Sequence, residues 1–177
     1  MTGFLSATDL LQDGVVYGTV LSLFMSVAFL GIAYLNPEIW LGDYPPDIRE
    51  RYGPMSIKAR RQRMLAGIPV VSFLLGTIVF STVRLAQGDG GDSAFFAVLL
   101  GTFLMLLVFN VVDLVILDWL IFVTIRPRMI VLSGTEGMEG YHDYGFHFRA
   151  FLKGVVGSFA ASLVVAGIVV VIKFIVP

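Results

Sequence analysis

The sequence predicts an all-α, polytopic integral membrane protein: a four-transmembrane-helix bundle with two ordered cytoplasmic loops. Three observations predict it. The 177 residues are 57% hydrophobic and only 14% charged, where soluble domains sit near 45–50% apolar and about 25% charged. The apolar residues come in blocks long enough to cross a hydrocarbon core, which takes roughly 20 helical residues. Lysine and arginine are gathered between particular blocks, while the formal net charge is only −1.

The first block, residues 14–35, ends at Asn36-Pro37, where proline cannot continue the ladder. Gly14, Gly18, Ser22 and Ser26 recur at four-residue spacing along it, a small-residue seam suited to close helix approach in lipid. Packing within one chain and a homo-oligomer face both fit this seam. The N-terminal tail has no basic residue before its apolar run, so it does not read as a cleavable signal.

The second block, residues 64–83, carries Pro69 in its first turns. The third begins near Ala94 after the turn QGDGGDS, with Ser93 as its expected cap. It spans residues 94–113 and continues as an apolar helical extension to residue 125. The fourth block covers residues 154–176, with Gly157, Ser158, Ala161 and Ser162 as further small residues. Together these form a single membrane domain, residues 1–177.

Six of the twelve basic residues fall in 36–63 and four in 126–153. The positive-inside rule then places both connections in the cytoplasm and both termini outside, in a plasma or inner membrane. In the first connection Pro45-Pro46 stiffens the chain, Asp47 and Arg51 have i, i+4 spacing, and Trp40 suits the headgroup layer. Ser56 is placed to cap a basic helix entering the second block. In the second connection Met129–Leu132 reads as a short strand followed by glycine turns, with an aromatic belt from Tyr141 to Phe151.

Chemistry is expected where the third block leaves lipid. Asn110 and Asp113 share an α-helical face, whereas Asp118 lies about 140° around an α-helix from Asp113. Carboxylates near lipid require partners. Arg60, Arg61, Arg63, Arg126, Arg128 and Arg149 are available on the same side to form an ion-pair or ligand cluster with Asn110, Asp113 and Asp118. His142, Asp143 and His147 fall in one six-residue window as candidate ligands for a divalent metal, though H-x4-H is not a metalloprotease signature.

The sequence has no cysteine, P-loop or G-x-S-x-G elbow, which removes thiol, phosphate-loop and serine-elbow chemistry. A nucleic-acid role is not expected. The favoured function is a binding or assembly module whose acidic, basic and histidine residues engage an anionic lipid head group or a protein partner. The alternatives are a membrane-embedded, metal-assisted enzyme acting on a lipid-like substrate, and a channel or transporter subunit.

Overall fold

The computed structural model describes residues 6–88 and 92–175. It is 88% helical, with no strand among the described residues. The elements are α1 (Ala7–Leu35), a 3₁₀ helix (Pro37–Asp43), α2 (Pro46–Tyr52), α3 (Ile57–Gly88), α4 (Asp92–Val112), a π-helix (Asp113–Ile125), 3₁₀ turns at Arg128–Ile130 and Glu139–His142, and α5 (Tyr144–Ile175). Four helical stretches are long and apolar enough to cross a membrane: Thr8–Leu35, Ile57–Ala86, Ala94–Ile125 and Tyr144–Ile175. The tip of the expected glycine turn, residues 89–91, lies outside the described residues.

Several elements exceed the blocks from which they were expected, because local caps extend them. Ser56 Oγ accepts from the Ala59 N–H, while Glu38 takes both the Ser56 N–H and its hydroxyl. Helix α3 therefore starts at Ile57, and Pro69 falls well inside it. Asp143 Oδ1 accepts from the Phe146 N–H at 2.8 Å, an N-terminal cap that starts α5 at Tyr144 and makes the expected aromatic belt helical. Helix α4 starts at Asp92, so Ser93 lies within its first turn.

The chain's internal contacts group it into two compact units. One comprises Met1–Ser22, Phe73–Val111 and Leu152–Pro177. In it a Cβ built on Gly14 would stand 2.7 Å from Leu104 Cβ, and one on Gly18 would stand 2.6 Å from Val108 Cβ and 2.8 Å from the Met105 carbonyl oxygen. The expected seam thus seats α4 within one chain. Asn110 Nδ2 donates to the Leu106 carbonyl and to Ser158 Oγ, fixing α4 against α5. Arg84 donates to the Tyr17 hydroxyl and lies 3.8 Å from Asp13.

The other unit comprises Leu23–Ser72 and Val112–Phe151. Its core gathers Leu41, Tyr44, Ile48, Leu132 and Tyr141. Residues 128–132 form a 3₁₀ turn and coil instead of the expected strand. No neighbouring strand is present among the described residues, and two tyrosines meet the backbone's hydrogen-bonding needs. The Tyr44 hydroxyl donates to the Ile130 carbonyl at 2.7 Å, and the Leu132 N–H donates to the Tyr141 hydroxyl at 3.0 Å. Asp47 and Arg51 do not pair with each other. Asp47 accepts from the Gly140 N–H, and Arg51 donates to the Gly134 carbonyl, so α2 ties the two connections together.

A matched pair of substitutions tests the α1–α4 seam. Gly18→Ala drives a methyl group into backbone and side chain, and should destabilise the protein by about 1–3 kcal/mol in a denaturation series. Gly157→Ala, which has open space, should leave stability unchanged. Equal effects would contradict the seam.

Candidate functional site

The site begins with the winding of residues 113–125. The ladder there is bonded i→i+5, visible where the Arg126 N–H reaches the Ile121 carbonyl at 2.9 Å; the Thr124 side-chain hydroxyl adds a bond to the Trp119 carbonyl at 2.7 Å. In such a π-helix, residues five apart return nearly to the same face. Asp113 and Asp118, on different faces of an α-helix, consequently line one cavity. The wind ends at Arg126, which adopts a left-handed conformation (φ 47°).

This cavity lies wholly within the second unit and measures about 460 Å³. Its polar wall carries Asp43, Arg63, Asp113, Asp118 and His147; its apolar wall includes Phe29, Leu30, Trp40, Ile121, Phe122 and Phe146. His147 is buried, and its Nδ1 lies 2.9 Å from Asp118 Oδ1. An ionised carboxylate only accepts, so the Asp118 contact holds the proton on Nδ1. In the neutral ring, Nε2 then presents a lone pair. Phe122 and Phe146 flank the imidazole with ring centroids at 4.8 Å and 5.3 Å.

Four buried side-chain polar atoms lack a hydrogen-bond partner among the described residues, and two belong to residues lining this cavity: Trp40 Nε1 and His147 Nε2. A buried polar atom left unpaired costs about 1–3 kcal/mol. The two are chemically complementary, since the indole nitrogen donates and the neutral imidazole nitrogen accepts. Asp43 has its carboxyl pKa raised, chiefly by burial, with Arg63 acting in the opposite direction. The raised pKa means that the fold favours the protonated acid, so this contribution is present at low pH and fades as pH rises through the raised value.

The residues expected to cluster are only partly brought together. Asp113, Asp118, Arg63 and His147 meet at the cavity. Asn110 is engaged with Ser158 in the other unit. Arg60 and Arg61 are exposed, Arg149 lies 3.5 Å from Asp143, and Arg126 contacts His142. The three expected metal ligands have separate partners: His142 meets Arg126, Asp143 caps α5, and His147 meets Asp118. No group of three or more His, Cys, Asp or Glu residues is placed to hold a metal among the described residues.

Asp43 and Trp40 are the site residues that sequence reasoning missed. Their signal was the dense N-P-E-I-W-L-G-D-Y-P-P segment, which combines caps, aromatics and acids between two helices. The chain matches no protein-family model, no curated protein and no solved structure.

Proposed function

We propose that the chain is a four-span membrane protein, with both long connections cytoplasmic and both termini outside, that binds a lipid-like amphiphile in the Asp118–His147 cavity. The segregation of basic residues supports the orientation. The complementary unpaired atoms of Trp40 and His147 carry the binding reading, because a head group that both donates and accepts matches both kinds of atom. Three aspartates against one arginine and one histidine on the polar wall favour a hydroxyl- or amine-bearing head over an anionic one. The aromatic and aliphatic wall would take the chain.

A photoreactive long-chain amino alcohol, offered to the purified protein in neutral-lipid nanodiscs, tests this. Labelling should map to the cavity walls. Trp40→Phe with His147→Phe keeps two flat rings while removing both polar atoms, and should reduce labelling by about tenfold, one lost hydrogen bond of 1.4 kcal/mol being sufficient. Labelling equal to wild type would overturn the reading.

A second reading is favoured by the oriented imidazole. An Asp–His pair with a free Nε2 is the general-base half of a hydrolytic site. His147 would take a proton from water as its oxygen attacks the ester carbonyl of an acyl amphiphile, then return that proton to the departing alcohol. The expectation is fatty-acid release from a monoacylglycerol by wild type and its loss in Asp118→Asn. No release by wild type would leave binding as the sole reading.

A further inference from the structure

A second concavity in the same unit is built from different residues. It also measures about 460 Å³, and its walls include Arg126, Arg128, Glu136, Met138, Tyr141 and His142. Arg126 Nη1 stands 2.5 Å from His142 Nδ1 and 2.9 Å from its Nε2, so guanidinium and imidazole crowd one corner. The Arg128 side chain is exposed and makes no ion pair or hydrogen bond among the described residues.

The nearby acid makes no ion pair with either arginine among the described residues. Both carboxylate oxygens of Glu136 accept from the Gly134 N–H, at 3.1 and 3.0 Å. Hydrogen bonds from its own N–H and that of Gly134 hold its carboxyl below the ordinary value. Glu136 is therefore committed to its own turn. Arg126 is also the only non-glycine with positive φ among the described residues. Such strain is retained where the surroundings over-determine it, and it clusters at ligand clamps.

We infer that Arg126, Arg128 and His142 form a binding site for a phosphate group. Two guanidinium forks, which only donate, line one concavity, with the His142 imidazole accepting from Arg126 beside them; planar donor forks suit phosphate oxygens. Arg126 directly follows Ile125, the last residue of a stretch long and apolar enough to cross a membrane, so the site stands at the end of that stretch where the second connection begins. The apolar Met138 and Val131 on the same wall suit the glycerol side of a lipid phosphate head group. This site shares no residue with the Asp118–His147 cavity, so the two can be tested separately.

The test uses the full chain in nanodiscs of neutral lipid, with or without phosphatidic acid, read by native mass spectrometry, and in parallel calorimetric titration with inorganic phosphate. Arg126→Gly suits the left-handed backbone and removes the guanidinium; combined with Arg128→Gln it should weaken binding about tenfold or more, as expected for lost charge-assisted hydrogen bonds. Arg60→Gln with Arg61→Gln, which lie outside the site, should leave the affinity within about twofold, since a diffuse attraction to scattered exposed charges is weak. Retention of phosphatidic acid without a response to inorganic phosphate identifies a lipid head group, and a response to both identifies the phosphate group itself. Binding of neither, or equal loss in the two double variants, overturns the site. An unchanged far-ultraviolet circular dichroism spectrum and thermal midpoint of the Arg126→Gly, Arg128→Gln variant report that the protein is folded.

Discussion

The i→i+5 winding of Asp113–Ile125 is the constraint on which the Asp118–His147 cavity rests. Were the segment α-helical, Asp113 and Asp118 would diverge, and one carboxylate would leave the cavity. With the π wind, a single turn delivers both acids to one wall, and Asp118 reaches the imidazole of His147. The wider wind forfeits regular α-helical hydrogen bonds. It is held by Thr124 on the Trp119 carbonyl, by the reversal at Arg126, and by the contacts of Phe122 with Tyr44 and Tyr141.

The two connections supply the rest of the architecture by bonding to each other. Asp47 and Arg51 grip backbone groups of the second connection, while Tyr44 and Tyr141 pin residues 130–132. Both tyrosines are buried yet hydrogen-bonded, as buried hydroxyls require. Burial foremost, then the neighbouring Tyr141 and Asp43, pushes the Tyr44 hydroxyl pKa upward, so it remains a donor. This packing fixes the 3₁₀ helix Pro37–Asp43, and with it Trp40 and Asp43, against the cavity.

The four long apolar helices were legible because block length and hydrophobicity are read directly from residues. That the third helix's acids need partners was legible, since an acid near lipid requires one, but the partners expected were arginines, and Asp118 instead meets His147. The winding was not legible: apart from its two aspartates, Asp113–Ile125 is almost wholly apolar and carries no hydrophobic period that separates 3.6 residues per turn from a wider wind. Nor was the fate of Met129–Leu132, whose β-branched residues suit a strand but have no strand to meet. The pairing of Arg126 with His142 depends on a left-handed arginine, for which the sequence Ile-Arg-Pro gives only the weak signal of a proline that follows. Trp40 read as a headgroup-layer anchor because its ring is amphipathic. Its place in the wall of the cavity that His147 also lines depends on a fold between two distant segments.

Cysteine cross-linking in membranes tests the winding most directly, because the native chain contains no cysteine. Disulfide formation requires Cα atoms within about 7 Å. Asp113→Cys with Asp118→Cys should therefore form an intramolecular disulfide under mild oxidant, as should Asp113→Cys with Leu117→Cys. An α-helix would permit only the second pair. Absence of the 113–118 cross-link, with 113–117 formed in the same membranes, would contradict the shared face and the cavity built upon it.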